Sequence, residues 1–284
     1  GYRRPEGTIG LRNHLVILSS IVCANVASER IAQTVPGVVA LTHPHGGGHV
    51  GADFDLALVT LTRLGSHPNV AATLVVGLGC EQIEAGILAQ RIAVTGRPCQ
   101  ALIIQEAGGT LAAIAQGSRI AAEMLAQAAL WPKEECSLAD LIVAMECGSS
   151  DATSGIAANP VVGLVSDKII AAGGTVMLSE AAELLGAEHI LARRAVSPEV
   201  GQQIVQMVGN VETIARQMGV DIRGSQPTPG NILGGISTIE EKSLGCVYKA
   251  GNAPVQGVLG FGQPPAGKGL YVMDTPGQDA ECTT

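Results

Sequence analysis

Residues 41–51 read L-T-H-P-H-G-G-G-H-V-G, placing His43, His45 and His49 among glycines directly after the apolar run Val38–Leu41. Imidazole is the one side chain whose ordinary pKa lies near neutrality, and it is the commonest metal ligand. The glycines, Gly46 and Gly48 among them, let backbone N–H groups approach a ligand closely. A polar loop with solvated histidines is the plainer alternative. Thiols and carboxylates recur at similar places: Cys80 with Glu81 in G-L-G-C-E, Cys147, Ser150 and Asp151 in E-C-G-S-S-D, Glu180 after Ser179, and Asp274 in M-D-T-P-G. Thiolate with imidazole suits zinc or iron, and carboxylate with imidazole suits manganese or iron. For each cysteine the competing reading is a small buried hydrophobe. Structural zinc lacks a C-x-x-C pair, and a serine nucleophile lacks its G-x-S-x-G turn. Nucleotide binding is weakly supported, since G-L-G-C-E has no third fingerprint glycine and no phosphate-loop lysine follows. Lys242, in T-I-E-E-K-S, is a candidate acid/base group that Glu240 and Glu241 would keep protonated, or else a solvated helix charge.

These groups need a scaffold that gathers strand ends. Apolar runs at 15–20, 38–42, 72–77 and 100–105 predict strands, and the helical periods at 27–34, 53–64, 81–93 and 110–130 alternate with them. Four β-α units in series predict a parallel, doubly wound, flavodoxin-like sheet with right-handed crossovers. Pro and charges over 129–137 mark a boundary, so the domains are expected at 1–133 and 134–284. The second has strands at 141–145, 175–178, 255–259 and 270–273. Its helices are expected at 160–172, 180–195, 198–218 and 237–249, with a Pro/Gly loop at 226–235. The fold class is therefore α/β, two layered domains with mostly parallel sheets. Ligands of such sheets gather at the carboxyl ends of the strands.

Composition narrows the function. Hydrophobic residues make up 46% of the 284 but aromatics only 2%, so small aliphatic side chains must build the core. A net charge of −8 with few aromatics argues against nucleic acid, while leaving room for a small anionic substrate. No apolar run reaches the ~18 residues of a membrane span. Seven scattered cysteines fit a reducing, cytoplasmic compartment, and no signal-peptide pattern opens the sequence.

In order along the chain stand G-Y-R-R-P-E-G-T-I-G-L-R-N-H, H-P-H-G, G-L-G-C-E, C-G-S-S-D, S-G-I-A-A-N-P, A-A-G-G-T-V-M-L-S-E, T-P-G-N, G-G-I-S-T-I-E-E-K-S-L-G and M-D-T-P-G. This set, running to Gly277, resembles the altronate/galactarate dehydratase family, which also contains the large subunit of sulfolactate sulfo-lyase. The resemblance implies a lyase activated by a divalent metal, Fe(II) or Mn(II). It would remove water, or sulfite, from the β-carbon of a hydroxy-carboxylate to leave a 2-keto acid. It also implies further chain at both ends, including a small N-terminal domain or subunit as partner. Where family members often have G-C-G, this sequence has Gly46-Gly47-Gly48, so a cysteine ligand at that point would be missing. On these readings His43, Cys80, Cys147 and Glu180 are the expected metal ligands, and His45, Lys242 and Asp151 the acid/base groups. Arg12, Asn13, Gly46, Gly48, Ser150, Asn159 and Asp274 would hold the substrate, Arg12 by the bidentate grip of its guanidinium on a carboxylate. A homo-oligomer is expected. A core that binds an acidic ligand and needs a partner domain to turn over is the non-enzymatic alternative.

Overall fold

The computed structural model describes residues 1–275, so Pro276 and Gly277 of the M-D-T-P-G segment and the rest of the chain lie outside it. The chain divides into two units, Gly1–Cys136 and Ser137–Thr284. The first opens on a short antiparallel hairpin, β1 (Tyr2–Arg3) and β2 (Ile9–Gly10). There follow β3 (His14–Ser19), α1 (Asn25–Thr34), β4 (Val38–Leu41), α2 (Ala52–Gly65), β5 (Val70–Gly77), α3 (Ala85–Ala93), β6 (Cys99–Ile103) and α4 (Thr110–Ala128). The four long strands are parallel in the order β4-β3-β5-β6. Every residue of β5 is buried, as a parallel strand covered on both faces must be. Along β3 alternate residues serve the two faces. Leu15 and Ile17 pack with α1 and α4 residues, while Val16 and Leu18 pack with α2 and α3 residues. Small residues let the layers close: a Cβ on Gly117 would stand 2.4 Å from Ile31 Cδ1, between α4 and α1.

The order reverses between β3 and β5, so the crevice at their carboxyl ends is the switch point. The expected parallel α/β sheet is present. The flavodoxin-like detail is not established, since that fold adds a fifth strand to this order and this sheet has four strands among the described residues.

The second unit contains β7 (Ile142–Met145), α5 (Asn159–Ala171), β8 (Thr175–Leu178), α6 (Glu188–Arg193), α7 (Pro198–Gln217), α8 (Ile222–Ser225), α9 (Pro229–Leu233), α10 (Ile239–Lys249), β9 (Val255–Leu259) and β10 (Gly269–Met273). Its sheet is parallel in the order β7-β8-β10-β9. Val176, Leu178, Leu270 and Val272 form the core with Leu184, Leu191, Ile204 and Val247. Helices α5 and α10 touch backbone to backbone, because a Cβ on Gly163 would lie 2.1 Å from the Tyr248 carbonyl oxygen.

Two segments depart from the sequence expectation. The helix expected over 180–195 is a 3-10 turn, Ala181–Leu184, then α6. Gly186 sits between them at φ 94°, a left-handed conformation that ends a helix. Within the expected 226–235 loop, α9 forms because Thr228 and Asn231 cap it reciprocally and proline occupies its first turn. Among the described residues no helix is long and apolar enough to cross a membrane.

Candidate functional site

The densest chemistry lies at the carboxyl edge of the second sheet. Cys147 follows β7, Glu180 follows β8, and Glu183 lies one 3-10 turn further on. The Cys147 thiol and one carboxylate oxygen from each of Glu180 and Glu183 lie within 4.8 Å of one another. The Cys147 N–H donates to Glu180 Oε2 at 3.2 Å, and Cys147 Sγ lies 3.2 Å from Ser150 Oγ. Helix α10 brings Lys242, Cys246 and Lys249 on one face at i, i+4 and i+7. Lys249 Nζ donates to Glu183 Oε2 at 3.2 Å and to the Glu146 carbonyl at 3.4 Å. Lys242 Nζ stands 3.9 Å from Glu183 Oε1 and donates to Gln226 Oε1 at 3.1 Å.

Electrostatics follow from this crowding. Burial, then the charges of Glu183 and Glu146, push the Glu180 carboxyl up to about 8. Burial and Glu183 push the Cys147 thiol up to about 11. Burial also opposes ionisation of Glu183, but the Lys249 ammonium and hydrogen bonds from Cys147, Cys246 and Lys249 prevail and hold its carboxyl below the usual range. Burial opposes the charge on Lys249 in turn, and the surrounding Cys246, Glu183 and Cys147 outweigh it and keep the ammonium charged.

The donor set fits a divalent cation. Glu183 is held ionised, and Cys147 and Glu180 become anionic ligands on losing their protons to the incoming cation. One thiolate with two carboxylates suits a borderline first-row metal.

The cluster opens on a cavity of about 360 Å³, lined also by Ser149, Ser150, Gln226, Thr228, Asn231 and Lys242. A larger groove of about 660 Å³ between α6 and α7 has neither carboxylate nor thiol in its wall, so chemistry singles out the smaller one. Asn231 holds the Ser150 loop, its Nδ2 donating to the Ser150 carbonyl at 2.8 Å.

Of the four expected metal ligands, Cys147 and Glu180 share this cluster, with Ser150 and Lys242 beside them. Glu240 and Glu241 do not hold Lys242. Glu241 accepts from the Ser237 N–H and hydroxyl at the helix start, and Glu240 lies 3.8 Å from Arg223. Asp151 is exposed and accepts from Thr153 Oγ1 and the Ser154 N–H, both at 2.7 Å, which hold its carboxyl below the usual range. Asn159 heads α5 close to Gly245, and Asp274 is exposed just after β10. Sequence reasoning missed Glu183, Lys249 and Cys246. The three-residue step from Glu180 to Glu183 and the helical spacing of 242, 246 and 249 were the available signals.

The remaining expected residues belong to the first unit, where no group of three metal donors forms among the described residues. His43 has both ring nitrogens engaged: Nδ1 accepts the His45 N–H at 3.1 Å, and Nε2 therefore donates to the Ser19 carbonyl at 2.7 Å. His45 stacks on it at 6.0 Å, and Gly46 donates its N–H to His49 Nε2. Gly46, at φ 106°, packs so closely on Ser20 and Ile21 that a Cβ would lie 2.4 Å from the Ser20 oxygen, whereas Gly48 has open space. Cys80 is exposed, and its N–H and that of Gly79 donate to the Glu81 carboxylate at the switch point. Arg12 and Asn13 precede β3, at the amino edge of the sheet, opposite the strand exits. There the Arg12 carbonyl and Asn13 Oδ1 accept from the buried Arg4 guanidinium, both at 2.9 Å.

Residues 138–284 match the family model for D-galactarate/altronate dehydratase, C-terminal, and residues 1–129 match D-galactarate dehydratase/altronate hydrolase, second domain. The chain is 40% identical over 286 residues to the (2R)-sulfolactate sulfo-lyase subunit beta of Chromohalobacter salexigens, covering all of this chain and 73% of that protein. It is 34% identical over 289 residues to the altronate dehydratase of Bacillus subtilis (98% of this chain, 58% of that protein). Against the galactarate dehydratase (L-threo-forming) of Escherichia coli the identity is 33% over 304 residues, covering all of this chain. The chain thus spans 58% of the length of each of these two dehydratases.

Proposed function

The chain belongs to the D-galactarate/altronate dehydratase family, and on that premise we propose that it is the core of a metal-assisted lyase eliminating water from a sugar acid such as altronate or galactarate. The product is a 2-keto-3-deoxy acid. The observation that carries this reading is the convergence of Cys147, Glu180 and Glu183 within 4.8 Å. A divalent cation, Fe(II) or Mn(II), held by these three residues would supply Lewis acidity toward the carboxylate and α-hydroxyl of the substrate. Lys242, on the cavity wall, offers positive charge to the anionic substrate. Hydroxyls of Ser150 and Thr228 and the amides of Gln226 and Asn231 suit a polyhydroxy chain.

The 40% identity to a sulfo-lyase subunit favours a second reading, desulfonation of a sulfonated hydroxy acid. That relative is named a subunit, so a partner chain is part of this reading. One experiment separates the two: purified chain with Fe(II) or Mn(II) and a panel of sugar acids and sulfolactate, with and without a separately expressed small N-terminal-type domain from a family member. The dehydratase reading expects 2-keto acid without sulfite. Sulfite release selects the second reading, and turnover confined to mixtures with the small domain makes this chain a core that depends on its partner. No product under any condition refutes both.

A further inference from the structure

Glu180 is the one non-glycine residue among the described residues with a positive φ, 67°, and it is 4% exposed. A side-chain-bearing residue stays in that region only where its surroundings over-determine it. Three separate segments do so here. Ser179, the residue after β8, places both its N–H and its hydroxyl on the Met145 carbonyl, at 3.1 and 2.6 Å. The Glu180 N–H then leaves the sheet pattern and donates to Thr275 Oγ1 at 2.7 Å. Its carbonyl accepts the Glu183 N–H at 3.1 Å, and its carboxylate accepts the Cys147 N–H. Thr275 is itself 4% exposed and follows β10, the strand paired with β8 in the register Leu178 to Val272.

We infer that Thr275 is a positioning residue: its hydroxyl holds the Glu180 backbone in the left-handed conformation and so directs the Glu180 carboxylate at Cys147 and Glu183. Its relevance to function rests on the cation reading of that cluster. Without the hydroxyl, the buried Glu180 N–H has no acceptor, and that cost falls on the strained conformation. The backbone then relaxes to negative φ and swings the carboxylate away.

The test compares Thr275→Val, Thr275→Ser and Thr275→Cys in the full chain, with Mn(II) affinity read by calorimetry and Glu180 read by crystallography. Thr275→Val is expected to weaken Mn(II) binding about 10- to 100-fold, the usual loss when a group supporting a ligand is removed. Thr275→Ser restores it, and Thr275→Cys, a weak acceptor of similar size, serves if the valine variant does not fold. In a Glu180→Gln background Thr275→Val should add no further loss, because its effect runs through Glu180. Equal Mn(II) affinity in parent and Thr275→Val overturns the inference, as does an additional loss in the Glu180→Gln background. If the parent binds no Mn(II), the cation reading falls, and the crystal structure decides the positioning role: relaxed Glu180 supports it, and an unmoved left-handed Glu180 overturns it.

Discussion

Replacing Glu183 by glutamine tests the reading of the buried cluster most directly. The Glu183 and Lys249 side chains are 10% and 7% exposed and 3.2 Å apart, so solvent screens them little. At that distance and an effective dielectric of about 20 their attraction is about 5 kcal/mol. Removing one partner of such a pair typically costs ~3–5 kcal/mol, because the other charge is left buried and uncompensated. The amide oxygen of the substituted side chain can still accept a hydrogen bond from Lys249, so Glu183→Gln is expected at the lower end, near ~3 kcal/mol. Lys249→Met should cost about as much, and the double variant far less than the two single losses added. Urea denaturation followed by circular dichroism measures all three. The pH dependence has a definite sign: the Glu183 carboxyl titrates below its ordinary value, so the folded state binds fewer protons than the unfolded one. Its contribution is fully present above an unfolded pKa of about 4.3 and is lost as pH falls through the lower folded value. The gap between parent and Glu183→Gln should close on acidification. Single losses below ~1 kcal/mol, or single losses that simply add, would refute the pairing argument.

Cation binding should release protons. Burial and the neighbouring carboxylates push the Glu180 carboxyl up to about 8 and the Cys147 thiol up to about 11, so both must lose a proton to become ligands. Mn(II) affinity should therefore strengthen as pH rises toward 8, with proton release visible as a buffer-dependent heat in calorimetry and reduced in Glu180→Gln. Gly163→Ala drives a Cβ to 2.1 Å from the Tyr248 carbonyl and should lower stability by ~1–3 kcal/mol as α5 and α10 part. Gly209→Ala, inside α7 with open space around it, should raise stability by ~0.5–1 kcal/mol, and the two thermal midpoints should move in opposite directions. Arg4→Lys keeps the charge but loses the fork that reaches the Pro68 and Arg12 carbonyls and Asn13 Oδ1. A loss of about 3 kcal/mol in the denaturation midpoint analysis is expected, from hydrogen bonds to a charged donor worth ~1.5–3 kcal/mol each.

The strands and most helices were legible in the amino-acid sequence because β-branched apolar runs and 3.6-residue periods are local signals. Cys147 and Glu180 were legible for a related reason: each lies two residues past the end of a strand, and parallel strands deliver their exits to one edge. The same logic places Arg12 and Asn13, which precede β3, at the other edge, a consequence of chain direction that local charge alone does not reveal. Glu183 was harder to find because its facing depends on the turn after β8 being a single 3-10 turn launched from a left-handed Glu180, rather than the expected continuous helix. Lys249 and Cys246 lie more than sixty residues beyond Glu180. They reach it only because the glycine-mediated contact of α5 with α10 and the burial of α10 aim one helical face at the sheet edge. His43 shows the converse. Its ring type and spacing suggest a ligand, yet both nitrogens are held by backbone groups of its own loop and of β3. Residue type and periodicity are properties of the chain and survive in its order. Which lone pair is free, which charge meets which, and which carboxyl is forced toward neutrality depend on distances of roughly 3–5 Å between distant segments, and those exist only once the layers have packed.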